Sequence, residues 1–158
     1  MNHPDNLMYT SEHEWVKIEG NIATVGITDF AQGELGDIIF LEFPDVDEAF
    51  GEGDVFGTIE AVKTVSDLFM PISGKIVEVN EEFNEGDVFG TIEAVKTVSD
   101  LFMPISGKIV EVNEALNDEP ENVNSSPYDS GWMVKIDLST DYNTSSLLNS
   151  KSYVEMIG

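Results

Sequence analysis

Short runs rich in valine, isoleucine and phenylalanine alternate along the chain with clusters of glycine, asparagine, aspartate and proline. That spacing is the signature of many short strands in a sandwich or barrel. Glu14 to Ile18 and Asn21 to Ile27 flank Glu19-Gly20 as a hairpin, with Gly20 supplying the positive φ of a tight turn. Thr28 is placed to cap a short helix from Asp29 to about Leu35, and Asp29 falls in the first turn, where the helix dipole favours negative charge. Strands are predicted at Ile38 to Phe43, Val55 to Ala61, Val65 to Met70 and Lys75 to Asn80, and again at Val88 to Ala94, Val98 to Met103 and Lys108 to Asn113. Pro71 and Pro104 lack a ladder donor and mark equivalent bends. Asp118 to Tyr128 reads as a polar loop, Trp132 to Leu138 as a closing strand and Thr144 to Ile157 as one or two terminal helices. The expected architecture is mainly β with short helices.

Part of this regularity is literal. Glu52 to Glu81, EGDVFGTIEAVKTVSDLFMPISGKIVEVNE, recurs letter for letter as Glu85 to Glu114, an offset of 33 residues. The 158 residues less one 33-residue period leave 125, and joining Glu81 to Ala115 gives a continuous sequence. Thirty identical residues without drift, even at exposed positions where substitutions are close to neutral, point to an engineered chain or a very recent duplication. Gly36, Gly74 and Gly107 each open a strand, so three similar units follow one another: Gly36 to Ser73, Gly74 to Ser106, and a divergent Gly107 to about Leu138. Residues 1–158 are expected to form a single domain containing the internal repeat 52–81 and 85–114.

Charge narrows the function classes. Seven Lys and Arg against 31 Asp and Glu give a net charge of −24, which repels phosphate backbones and anionic lipid heads and excludes nucleic acid and membrane as expected partners. An apolar content of 41% suffices for a core despite that charge. The chain has no cysteine, so any sulfur chemistry has to be imported. His3 and His13 are its only histidines, too few for a triad or a histidine-based zinc site. No catalytic residue and no metal site are expected, and the chain does not read as an enzyme. His3 reads as a solvated terminal residue, and His13, beside Trp15, as a packing or hydrogen-bonding one. Gly51, Gly53 and Gly57 lack the spacing and following helix of a phosphate loop and are turn glycines. No apolar run reaches the roughly 18 to 20 residues that cross a bilayer, and no basic stretch leads into an apolar one at the start, so the cytoplasm is the expected compartment.

Among the seven cations, two lysines share one context. Lys63 lies in Glu60-Ala61-Val62-Lys63-Thr64-Val65 at the junction of two predicted strands, and Lys96 holds the same place in Glu93 to Val98. A lysine there is either a solvated turn residue or an attachment point, an amine on a rigid hairpin whose stem lengthens whatever arm is joined to it.

Around these lysines the sequence resembles the glycine cleavage system H-protein family, within the lipoyl-domain superfamily. The resemblance runs through Tyr9-Thr10-Ser11-Glu12-His13-Glu14-Trp15-Val16, Ala23-Thr24-Val25-Gly26-Ile27-Thr28-Asp29-Phe30-Ala31-Gln32, Leu35-Gly36-Asp37-Ile38, Ile59-Glu60-Ala61-Val62-Lys63, Pro71-Ile72-Ser73-Gly74 and Asn124-Ser125-Ser126-Pro127-Tyr128 with Gly131-Trp132-Met133. It implies a lipoyl/biotinyl-type barrel-sandwich hybrid extended here by one extra repeat unit. It also implies a carrier in glycine catabolism, with lipoic acid amide-linked to the matching lysines, Lys63 and Lys96. Such an arm shuttles an aminomethyl group between glycine decarboxylase and aminomethyltransferase, is reoxidised by dihydrolipoyl dehydrogenase, and is installed by a lipoate ligase or lipoyl transferase. Glu14, Glu12 and Asp67, with the copy Asp100, match positions associated with a cleft that shields the loaded arm from water. Val62 and Thr64 stand where biotin carriers have methionine, which favours lipoate.

The extra unit departs from the family. It can intercalate into the fold, stay an unpaired excursion, or exchange with a second chain. Its alternating apolar strands favour burial, and intercalation is the expectation, with the Lys63 and Lys96 hairpins at opposite ends and Lys63 facing the Glu14 cleft. Two other functions stay open: an engineered repeat-extended scaffold without carrier activity, and a lipoyl relay to other lipoyl-dependent complexes.

Overall fold

The computed structural model describes residues 1–62, 66–69, 74–76, 81–83, 88–92, 96–138 and 142–158. From the N-terminus the elements are β1 (Met8–Tyr9), β2 (Glu14–Glu19), β3 (Ile22–Ile27), α1 (Asp29–Leu35), β4 (Asp37–Glu42), β5 (Ala49–Phe50) and β6 (Val55–Val62). The repeated region continues with β7 (Ser66–Phe69), β8 (Gly74–Ile76), β9 (Glu81–Phe83), β10 (Val88–Ile92), β11 (Lys96–Phe102) and β12 (Gly107–Val112). The chain closes with α2 (Ala115–Asp118), α3 (Asn122–Ser125), β13 (Val134–Asp137) and α4 (Ser150–Ile157).

Local chemistry accounts for the N-terminal half. Gly20 turns the β2–β3 hairpin at φ 63°, where a Cβ would be strained. Thr28 Oγ1 accepts the Ala31 N–H at 3.1 Å and starts α1, and Gly36, at φ 96°, ends it. Two expectations need correction. Asp118 to Tyr128 is not all loop: α2 and α3 are single helical turns that fasten Leu116 and Val123 into the core. The terminal helix is confined to α4, where the Asn149 side chain accepts the Ser152 N–H at 2.8 Å.

Two sheets make the body. One runs β1-β2-β3-β13-β12-β5 and the other β11-β6-β4. Val16, Val25, Ile109 and Ile136 from the first and Ile38, Leu41, Ile59 and Leu101 from the second form one buried cluster. A smaller cluster of Leu7, Tyr9, Trp15 and Tyr153 joins the two chain ends. Trp15 Nε1 donates to the Pro127 carbonyl at 2.8 Å. Its indole lies over Gly26, where a Cβ would come within 2.6 Å of that nitrogen.

The repeat does not intercalate. In the body's smaller sheet the first copy supplies β6 and the second supplies β11, with Lys96 opposite Val62, Ile59 opposite Ser99 and Val55 opposite Phe102. The surplus strands pair with each other: β10 with β7, Ile92 opposite Ser66, and β8 with β9, Gly74 opposite Phe83. Residue numbers of partners add to 158 in both the β6·β11 and β7·β10 ladders beyond their irregularities, so the outgoing and returning strands keep one antiparallel register. The extra unit therefore lengthens a hairpin. Lys96 pairs with Val62, and the expected placement of the Lys63 hairpin falls on residues outside those described. Lys63 and Pro71 themselves lie outside the described residues.

If the surplus is an appendage to a self-sufficient body, excising residues 63–95 should leave both sheets intact. The shortened chain is expected to melt in one cooperative transition with Tm within about 4 °C of the full chain, roughly 1 kcal/mol for a domain of this size. Calorimetry checks this, and loss of the cooperative transition would show that the surplus supports the body.

Candidate functional site

A cleft of about 490 Å³ opens between α1 and β11. On one side stand Phe30, Ala31, Glu34 and Leu35, residues of a helix that buries none of its own side chains fully and so leaves an apolar flank open. Opposite them stand Ser99, Asp100, Leu101 and Phe102, with Ile27 and Ile59 also lining the space. The walls come from sequence-distant elements, the second of them from the second copy of the repeat.

Glu14, only 2% exposed, contributes the cleft's buried acid. Thr10 Oγ1 donates to its carboxylate at 2.7 Å and in turn accepts the Glu14 N–H at 3.1 Å. The Phe102 backbone adds a further hydrogen bond to the carboxyl. These bonds favour the ionised form, but burial outweighs them and pushes the carboxyl up to about 8. A second cavity of about 260 Å³ shares Glu12, Glu14 and Phe102 with the first and adds Thr10, Glu52 and Ser146. Glu12 is an exposed residue common to both spaces.

His13 also lines the cleft, in a left-handed backbone conformation at φ 71°. Its Nδ1 lies 2.8 Å from the Tyr153 hydroxyl, which is also 2.7 Å from Thr28 Oγ1. The Thr28 N–H donates to the His13 carbonyl at 3.0 Å. One hydroxyl from the C-terminal helix thus ties a cleft residue to the residue that caps the cleft's helix. Burial lowers the His13 pKa, against the opposing charges of Glu12 and Glu34. His3 is not the solvated residue expected: it is half-buried, 3.2 Å from the Tyr128 hydroxyl and edge-on to Tyr153.

Of the sequence-predicted residues, the fold brings Glu14, Glu12 and Asp100 together at one cleft. Asp67 stands on β7 opposite Thr91. Lys96 opens β11, its amine exposed and 3.3 Å from the Glu60 carboxylate. An exposed ion pair of this kind is worth about 0–1 kcal/mol and does not sequester the amine. Lys96 precedes Asp100 by four residues on the same strand, about 13 Å at 3.3 Å per residue. Among the described residues no group of three or more histidine, cysteine or acidic side chains is placed to hold a metal. Tyr153, Phe30 and Phe102 were missed from the sequence. Thr28 was legible as a cap, but nothing local connects His13 to a tyrosine 140 positions away.

The sequence and the fold both have counterparts among known proteins. The family model described as glycine cleavage H-protein matches residues 7–86 and 81–158, two segments that meet inside the repeated region. The glycine cleavage system H protein of Staphylococcus haemolyticus is 47% identical over 155 residues, covering 98% of this chain and 97% of the relative. The glycine cleavage system H protein of Staphylococcus epidermidis is 49% identical over 155 residues with the same coverage. A crystal structure of a glycine cleavage system H protein from Mycobacterium marinum superposes with a TM-score of 0.70 at 28% identity, covering 99% of each chain.

Two measurements test the site's energetics. Glu14 binds its proton more tightly folded than unfolded, so its contribution is whole below the ordinary 4.5 and is lost as pH rises through about 8. Glu14→Gln is expected to remove that part of the stability loss between about pH 5 and about pH 9, read as a smaller difference in Tm than the unaltered chain shows. An unchanged difference would mean that Glu14 is ionised throughout. Tyr153→Phe leaves His13 and Thr28 each short of a partner and should cost about 1–3 kcal/mol in urea unfolding, whereas a cost under about 0.5 kcal/mol would show the hydroxyl to be dispensable.

Proposed function

The chain belongs to the glycine cleavage H-protein family, and from that premise we propose that it is a lipoyl carrier of the glycine cleavage system rather than an enzyme. The observation that carries this reading is an exposed amine, Lys96, at the head of a strand whose next turns of side chains line a largely apolar cleft with a buried acid. A lipoyl group amide-linked to that lysine would supply the dithiol chemistry that a chain without cysteine lacks.

The residues present suit such a group. Ile27, Phe30, Leu35 and Leu101 offer apolar surface to a hydrocarbon arm and its sulfur ring, and they exclude water from what lies against them. Glu14 offers a deeply buried carboxyl, and Glu12 and Asp100 add exposed ones. An aminomethyl cargo is cationic, and its charge favours ionisation of a carboxyl that burial otherwise holds protonated. Thr10, donating to Glu14 and accepting from its backbone, fixes where that charge forms. Tyr153 and Thr28 hold the facing helix in register with His13.

Lys63 and Lys96 are both proposed attachment lysines, since their flanking sequences are the same, and Lys96 is the one whose arm the cleft serves. The expectation that Lys63 faces the cleft falls on a residue outside those described, and the support for Lys96 is that Ser99 to Phe102 of its own strand line the cleft beside Glu14. Asp100 rather than Asp67 then acts at the cleft. The partners proposed are glycine decarboxylase, aminomethyltransferase, dihydrolipoyl dehydrogenase and a lipoate ligase or transferase, met in the cytoplasm. The charge of −24 favours docking against basic rims. The exact repeat is attributed to a tandem duplication.

The test is lipoylation by a lipoate ligase with mapping of the modified lysine by mass spectrometry, followed by reconstitution with the three partner enzymes. Lipoyl at Lys96 is expected, with turnover that Lys96→Arg abolishes and Lys63→Arg preserves. An unmodified product would overturn the carrier reading, and turnover that survives Lys96→Arg would move the working arm to Lys63.

A further inference from the structure

Two ladders in this molecule share four residue pairs of the same composition. In β6·β11, Ile59 faces Ser99, Thr58 faces Asp100, Gly57 faces Leu101 and Val55 faces Phe102, with the register slipping between Leu101 and Phe102. In β7·β10, Ile92 faces Ser66, Thr91 faces Asp67, Gly90 faces Leu68 and Val88 faces Phe69, with a slip between Val88 and Gly90. The second set is the first with the two copies interchanged, one 33-residue period apart.

We propose that the chain has a second threading in which β10 takes the place of β6 between β4 and β11, while β6 pairs with β7 in the displaced hairpin. The exchange turns β6·β11 and β7·β10 into β10·β11 and β6·β7. Ile92 then faces Ser99 and Ile59 faces Ser66, so the pairs broken from Thr97 to Phe102 are replaced by pairs of identical composition. Only Lys96–Val62 is lost, because the repeat of Val62 is Val95, the chain neighbour of Lys96. On its other edge β4 now meets Thr58, Ile59 and Glu60, and after the exchange it meets Thr91, Ile92 and Glu93, the same three residue types. The strap before β6 is copied as well. Gly53 N–H donates to the Met103 carbonyl at 2.9 Å and Met103 N–H to the Asp54 carbonyl at 2.7 Å, and Gly86 and Asp87 are their repeats. The surplus residues move from the far end of the hairpin to the connection after β5, and the entropy of closing a loop changes only slowly with its length.

β11, and with it Ser99 to Phe102 of the cleft wall, stays seated in both threadings. What changes is the neighbour of Lys96. With β10 seated, Lys96 directly follows the strand docked on β4, in a short hairpin. With β6 seated, 33 residues, 63–95, separate Val62 from it. The exchange rests on strand identity alone and is independent of the carrier reading.

Because the chain has no cysteine, an introduced pair reports strand position without competition. Glu42 and Thr58 are register partners on β4 and β6. Glu42→Cys with Thr58→Cys reports the threading seen here, and Glu42→Cys with Thr91→Cys reports the exchanged one. Both are expected to close within one chain, read by mass and non-reducing electrophoresis of the monomer. The proposal is overturned if the first pair closes while the second stays reduced or links only between molecules. A second readout uses Gly57, where a Cβ would stand 2.2 Å from the Glu42 carbonyl oxygen, a backbone atom that cannot turn aside. Gly57→Val and Gly90→Val are each expected to keep a cooperative melt by seating the other copy, and only the double variant is expected to lose it. A Gly57→Val chain as unstable as the double variant would show that β6 has no substitute. Neither readout involves lipoate, so either can fail while the carrier reading stands.

Discussion

The register of β6 on its two neighbours is the constraint from which the rest follows. Side chains on a strand alternate between faces, so a one-residue slip would carry Ile59 out of the core and turn a polar neighbour inward. Gly57 tightens the requirement, because β4 approaches so closely there that the Glu42 carbonyl occupies the space a Cβ would need. Leu101 then drops into the core opposite that glycine, and Ser99 to Phe102 are left facing α1 across the cleft. In an identical repeat, such a register can recur only one whole period away. The surplus is consequently a complete unit whose described strands pair with each other, β7 with β10 and β8 with β9.

The cleft combines two effects that oppose one another elsewhere on the surface. A chain carrying −24 has acidic groups almost everywhere, solvated and inexpensive to keep charged. Among the described residues Glu14 is the exception, a carboxyl withdrawn from water and retained by Thr10 and the Phe102 backbone. Its strand is anchored by Trp15, whose indole lies on Gly26 and bonds the Pro127 carbonyl. The opposite wall depends on the C-terminus: Tyr153 stacks on Tyr9 at 4.8 Å and spends its hydroxyl on His13 and Thr28. The first and last elements of the chain therefore set the shape of a site to which neither supplies a reactive group.

Much of this was readable in advance where the cause is local. The turn at Gly20, the cap at Thr28 and the alternation through β2, β3 and β6 follow from φ preferences, one side-chain hydrogen bond and period-two burial. Glu14, Glu12 and Asp100, which line one cleft, were singled out by family resemblance rather than by chemistry, since nothing local separates them from the rest of 31 acidic residues. The helical turns α2 and α3 were missed because their sequences are polar and their reason for folding is a single buried residue each, Leu116 and Val123. His3 was misjudged because its partners, Tyr128 and Tyr153, lie at the other end of the chain.

The repeat separates the two kinds of information most cleanly. Amino-acid order alone determined that the chain is mainly β, that it has no thiol of its own, and that Lys63 and Lys96 sit in identical local sequence. It could not decide which copy of a strand enters the body, because identical segments have identical local preferences. The threading seen here is defined by contacts between distant residues, β4 against β6 and Met103 against the strap at Gly53 and Asp54, which the second copy can repeat residue for residue. Such contacts exist only once the sheets have closed.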